Sequence, residues 1–431
     1  MPTEVEHLEI VTVLPAIKHK HPVARQFRLL RDALQSDKVR VGCLLGAGCP
    51  SGVYQEDGTK GAPLVPDVAQ LTQDVRASLI LQDNGKDDED KLIIAWDLIE
   101  NACKQGGEDV PNIEHILSEL RTLRARRGTS DVDGLDKAKL KILDETICDL
   151  IVNAVGKRLP AYRCSYHRLA SWVGGLERFA PVELFTPNYD LLVEEAFELQ
   201  RTPLFDGFVG SREPFFDLAS IEQDSIPRRW TRLWKLHGSI NWELREDGSV
   251  FRAQGRATQG KAMIYPSHLK YDQSRRMPYL AMIDRLRAFF RIGGHSQGFG
   301  PPVLVVCGYS FADDHLNEVL LDGLRGNPAA HCFVLTYPFL KEAQAVVRFA
   351  MQQPNLTVLA YDGAVIGTRV GLYDLTSSGS TDQEPWLTST VTPSSERVEE
   401  TVLVNCRLGD FHYFGLFLES LHGSREDEMN A

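Results

Sequence analysis

Apolar side chains recur at helical spacing from Val23 to Leu34, where Val23, Phe27, Leu30 and Leu34 share one face, and a continuous apolar run follows from Val39 to Leu45. The first pattern predicts an amphipathic helix and the second a strand buried on both sides. A loop with Gly52, Gly58 and Gly61 closes at Pro66, and a helix is expected from Asp67 to Leu81. From there to about Trp172 the pattern is almost wholly helical, broken by charged stretches at Asp83–Asp90 and Arg126–Gly134; residues 66–175 therefore read as a helical insertion. Short apolar runs then alternate with helical patterns: Val182–Phe185, Leu233–Leu236, Val303–Cys307, Cys332–Leu335 and Leu356–Ala360. Such alternation predicts an α/β fold with a mostly parallel sheet and helices on both faces. The main domain is placed at 20–365. Thr376 to Ser395, rich in Ser, Thr and Pro, has the composition of a linker (376–395) beyond the compact domain. After it, a strand at Val402–Val404 and helically spaced Phe411, Phe414, Leu418 and Leu421 form a segment (400–425) that docks on this domain or on a partner.

Composition narrows the function classes. Of 431 residues, 43% are hydrophobic and 25% charged, which excludes disorder throughout. The 59 acidic and 47 basic side chains leave a net charge of -12, the wrong sign for holding nucleic acid through the overall field, so no direct nucleic-acid binding is expected. The start MPTEVEHLEI lacks the pattern of a secretory signal, and the longest apolar strand, Val303–Cys307, falls far short of the roughly 20 residues a membrane helix needs. Cys43, Cys307 and Cys332 sit in apolar runs, as reduced buried thiols do; a cytoplasmic address follows. No two cysteines are separated by two residues and no His/Cys cluster has zinc spacing, so no metal is expected. The basic stretches Arg121–Arg127 and Arg228–Arg232 read as solvated surface.

Four motifs stand at ends of apolar runs, where open parallel sheets bind ligands. LLGAG ends the first strand, and Gly46, Ala47 and Gly48 there either form a tight turn or admit a phosphate close to the main chain. There is no P-loop lysine. In TPNYD, Thr186 to Asp190, Asp190 can cap the next helix, while the Asn188 carboxamide suits a sugar hydroxyl or a water, or serves its own turn. KLHG places His237, a group that titrates near neutrality, directly after a strand, where it acts as a proton acceptor or as a structural hydrogen bonder. In CGYSFADDHLN, Gly308 and Ser310 can meet a ribose or phosphate, Asp313 or Asp314 starts a helix, and His315 lies on that helix's surface.

In this order and spelling, LLGAG, TPNYD, KLHG and CGYS resemble the sirtuin superfamily, and TPNYD with GYSFADDHLN is most similar to its bacterial sirtuin-like branch. The resemblance covers roughly Arg40 to Gly363. It implies a Rossmann-like fold that binds NAD, with Gly46, Ala47 and Gly48 in the phosphate-binding loop and Thr186 beside them. It further implies Asn188 and Asp190 in the nicotinamide and ribose pocket, His237 as the catalytic histidine, and Gly308 and Ser310 near the adenine-side ribose. Two departures count against lysine deacylation: Asn241 to Arg291, where deacylases carry a four-cysteine zinc module, contains no cysteine, and Pro187 stands where they usually have glutamine. Bacterial relatives with such features are mostly NAD-consuming effectors of anti-phage defence, often beside a HerA-type hexameric ATPase. The expectation is an NAD glycohydrolase in which Asp190 holds the nicotinamide carboxamide, Asn188 orients water and His237 binds ribose hydroxyls or acts as base. A homo-oligomer or an ATPase partner would control it. An NAD or ADP-ribose sensor without turnover, and a zinc-free deacylase, are the alternatives.

Overall fold

In the computed structural model, the described residues are 19–55, 61–125, 136–223, 226–245, 247–257, 262–264, 278–291, 300–374, 384–392 and 401–429. Strand β1 (His19–Pro22) leads into helix α1 (Val23–Gln35), and β2 (Arg40–Leu45), buried throughout, leads into the single-turn helix α2 (Gly48–Ser51). Five helices follow: α3 (Val68–Gln82), α4 (Leu92–Gln105), α5 (Ile113–Ala125), α6 (Lys137–Val155) and α7 (Ser165–Gly174). Carboxylates fix where two of them begin, as Asp67 accepts the Gln70 amide of α3 at 2.8 Å and Asp136 the Ala138 amide of α6 at 2.6 Å.

The chain then alternates through β3 (Glu183–Thr186), α8 (Leu192–Leu199), β4 (Leu204–Phe205), β5 (Phe208–Val209), β6 (Phe215–Phe216), α9 (Leu218–Glu222) and β7 (Thr231–Lys235). It continues with β8 (Gly238–Leu244), β9 (Val250–Arg252), β10 (Ala262–Ile264), α10 (Tyr279–Phe290), β11 (Pro302–Cys307), α11 (Asp314–Gly326) and β12 (His331–Leu335). Last come α12 (Gln344–Gln352), β13 (Leu356–Leu359), β14 (Gly363–Ile366), β15 (Arg369–Asp374), β16 (Leu387–Thr392), β17 (Thr401–Cys406) and α13 (Phe411–Met429). No helix among the described residues is long and apolar enough to cross a membrane.

The main sheet has the order β1-β15-β14-β13-β12-β11-β2-β3-β7-β4. From β13 to β4 every neighbouring pair is parallel, and only β14 runs against its neighbours. Its central strands are buried along nearly their whole length because both faces are covered. Val41, Cys43, Leu45, Val303, Val305 and Cys307 pack on the side of α1, the insertion, α7, α8 and α13. Leu44, Phe185, Trp234, Leu304 and Val306 pack on the side of α10, α11 and α12. This is the α/β, mostly parallel, doubly covered architecture that the alternating runs imply. All eight cysteines are free and buried.

Two features depart from the sequence pattern. Strands β10-β8-β9-β6-β5 form a second, antiparallel sheet, in which Phe208 packs on Trp242 at 5.3 Å between ring centres and Arg252 pairs with Asp206. Part of the segment expected to be a linker is also strand: Leu387–Thr392 pairs in register with Thr401–Cys406. Its threonines and valine are good strand formers, and composition alone disguises that. Residues 376–383 and 393–395 of that segment lie outside the described residues. The compact unit therefore does not end before it: Phe411, Phe414, Phe417, Leu418 and Leu421 of α13 are buried in the same core, Tyr166 meets Phe411 edge-on at 4.9 Å, and Trp386 meets Phe417 at 5.1 Å. Glu419 joins the helix to Arg163 and Arg168.

Candidate active site

The four motifs end four strands that lie side by side in the order β11-β2-β3-β7, all pointing the same way. Strand order reverses between β2 and β11, so the turns after these two strands flank the crevice where such sheets bind ligands. The turns touch. A Cβ on Gly46 would collide with the Gly308 carbonyl, and one on Gly308 would stand 2.6 Å from the Cys49 amide, while Gly308 itself has φ of 66°. The Gly46, Gly48 and Cys49 amides donate to Cys307 O, Gly308 O and Gly46 O at 2.9, 2.8 and 3.0 Å. Glycine here secures close packing of two turns, and three of the amides that a phosphate nest would use are already bonded.

TPNYD divides into parts with different tasks. The Thr186 hydroxyl donates to Leu45 O at 2.7 Å and accepts the Asn188 amide at 3.0 Å, and Asn188 Nδ2 donates to Gly46 O at 3.0 Å. Asn188 is thereby tied to the glycine turn. Asp190 faces elsewhere: it is buried, its Oδ1 accepts the Leu192 amide at 3.1 Å, and Lys235 Nζ donates to its main-chain carbonyl while standing 3.4 Å from Glu194 Oε1. Burial raises the carboxyl pKa of both Asp190 and Glu194, against the opposing effect of Lys235. Asp190 Oδ1 is thus engaged at the start of α8, one residue before the N-cap Leu191.

His237 occupies the β7–β8 turn, followed by Gly238 at φ 93°, and is 2% exposed. Its Nε2 is 2.9 Å from Asp313 Oδ2 and its Nδ1 is 3.9 Å from Glu114 Oε1. Neither ring nitrogen has a well-aligned hydrogen bond among the described residues. Burial alone would lower the imidazole pKa, but Asp313 and Glu114 outweigh it and raise it; Asp313, raised by burial, is carried below the usual value by His237.

Asp313 and Glu114 are the two groups that motif reading does not assign to the site. Asp313 does cap α11, its Oδ1 accepting the His315 and Leu316 amides at 3.0 and 3.2 Å, which leaves Oδ2 for the imidazole. The turn that carries it is strained, with Phe311 at φ 59°, and is braced by Asn317 Nδ2 to Phe311 O at 2.9 Å and by Tyr309 OH to Asn317 Oδ1 at 3.0 Å. Glu114 comes from the helical insertion. It sits in the first turn of α5, where Asn112 Oδ1 accepts the Glu114 amide at 2.9 Å, and its Oε1 accepts the Tyr189 hydroxyl at 3.2 Å. The NIEH spelling shows the helix start, but nothing local says which strand end the carboxylate reaches. Ser310 and His315 are exposed. Among the described residues no group of three or more His, Cys, Asp or Glu is arranged to hold a metal.

Residues 182–358 match the family model of the SIR2-like domain. That span holds TPNYD, KLHG and CGYS, and the LLGAG turn and the insertion lie before it. Among solved structures, the chain is similar to one titled "Structural Basis for the Mechanism and Regulation of Sir2 Enzymes", at 12% identity and a TM-score of 0.32, over 74% of this chain and 88% of that one. No curated protein matches the chain.

Proposed function

We propose that the carboxyl edge of the sheet hydrolyses the bond between nicotinamide and ribose in NAD, giving nicotinamide and ADP-ribose. The observation that carries this reading is the buried cluster of His237 between Asp313 and Glu114. The imidazole stands between two acidic side chains and, against the effect of burial, holds Asp313 below its usual range. Cleavage leaves positive charge on the ribose, and acidic side chains in a shielded site stabilise that charge as it forms. The SIR2-like match and the gathering of the four turns at the sheet's crevice support a dinucleotide as the ligand. Asn188, fixed to the glycine turn, orients a water or a ribose hydroxyl, and His237 donates through Nδ1 to a ribose hydroxyl or to the attacking water. Gly46, Ala47, Gly48, Thr186, Gly308 and Ser310 line the dinucleotide's path, and Asp190 holds the Asn188 turn in place.

The biological setting is inferred from the motif order: depletion of NAD in anti-phage defence, restrained by self-assembly or by a HerA-type ATPase partner. The test is nicotinamide release from NAD by the full chain and by Asn188→Ala and His237→Ala. The proposal expects release that both substitutions abolish without loss of folding. Binding of NAD with no release would replace it with a sensor. Release only with an acylated peptide would replace it with a deacylase.

A further inference from the structure

We propose that Glu114, delivered by the helical insertion, is the catalytic proton acceptor of this site, taking a proton from a water held jointly with His237 Nδ1. The inference rests on the NAD-hydrolysing reading and adds to it a residue from outside the motif-bearing strands. Glu114 Oε1 and His237 Nδ1 stand 3.9 Å apart, too far for a direct hydrogen bond. An oxygen about 2.8 Å from each would subtend close to a right angle between them, an angle a water tolerates. Nε2 of His237 lies 2.9 Å from Asp313 Oδ2, while Nδ1, in a residue 2% exposed, has no hydrogen-bond partner among the described residues, and such a buried group calls for a ligand or a water.

The alternatives for the proton are already committed. His237 lies against Asp313 and carries its own proton, and Asp313 caps α11 with one oxygen and faces the imidazole with the other. Tyr189 donates to Glu114, so it aims the carboxylate and does not take the proton. In the step, the water oxygen bonds to the ribose carbon as the nitrogen–carbon bond breaks. The bonding pair goes to the pyridinium ring, nicotinamide leaves neutral, and the water proton passes to Glu114 and then to solvent. The titratable groups facing Glu114 are Tyr189, His237, Tyr279 and Tyr309, with Arg121 on its own helix near Tyr189.

The experiment measures nicotinamide release across pH and NAD binding for the wild-type chain, Glu114→Gln and Glu114→Asp. The expected result for Glu114→Gln is a loss of kcat of about 10²-fold or more with NAD binding retained, and disappearance of the acid limb of the wild-type pH profile. Glu114→Asp should keep that limb at a reduced rate. A Glu114→Gln protein with wild-type kcat and an intact acid limb overturns the role of Glu114 alone. A loss of rate matched by an equal loss of NAD binding also overturns it, since the carboxylate would then be holding substrate. Wild-type protein that binds NAD and releases no nicotinamide overturns the underlying reading as well.

Discussion

Two buried clusters, each a basic side chain beside two acidic ones, lie at the end of β7. Lys235 lies with Asp190 and Glu194, and His237 lies with Asp313 and Glu114. In the first, the amine reaches a main-chain carbonyl and burial governs the acids, whose pKa values rise. In the second, the imidazole governs: it carries Asp313 downward despite burial, and its ring nitrogens stay without aligned partners. The difference teaches that charge inventory does not mark a site. A cluster whose amine is tied to a main-chain carbonyl fastens a turn, even with Glu194 Oε2 unpartnered among the described residues, while one whose imidazole stands at a strand end with Nδ1 unpartnered is poised for a ligand.

The comparison breaks most forcefully at Lys235. Lys235→Met leaves the buried Glu194 without its ion-pair partner and the Asp190 carbonyl without its donor, and should destabilise the fold by about 3–5 kcal/mol in denaturant titrations. Unchanged stability would mean that this cluster is not structural. Next, Gly308→Ala places a side chain at φ 66° against the Cys49 amide and should cost about 1–3 kcal/mol, with nicotinamide release falling because both turns shift.

A pH series sharpens the contrast further. His237, with a raised folded pKa, contributes stability fully below its ordinary value of 6.5 and loses it as pH rises through the folded value. Asp313, with a lowered one, contributes above 3.8 and loses it as pH falls through its folded value. Melting temperatures of wild type should therefore fall towards those of His237→Gln as the pH rises from 6.5 through the raised folded value; parallel curves would remove the ion pair from the account. The smallest effect belongs to the tail, where Glu419→Ala removes partly exposed ion pairs to Arg163 and Arg168 and should cost about 0–1 kcal/mol with activity unchanged.

The central strands were legible because burial on both faces leaves continuous apolar runs within them, as in Val303–Cys307. Residues 387–392 were not, since Ser and Thr serve loops and strands equally and only the pairing with Thr401–Cys406 decides. His237 and Asn188 stand at strand ends, where their spelling puts them, whereas the engagement of Asp190 at the start of α8 has the same spelling as a carboxylate that meets a ligand. Glu114 lay beyond local reading, because a helix docked from far away in the chain brings it to the imidazole.

The most direct test of the His237 cluster as a hydrolytic centre is nicotinamide release from NAD by wild type and by Asp313→Asn, with NAD binding measured on both. The account predicts release by wild type and its loss, by at least about 10²-fold, in a variant that still binds NAD. Equal release by the two proteins would contradict it.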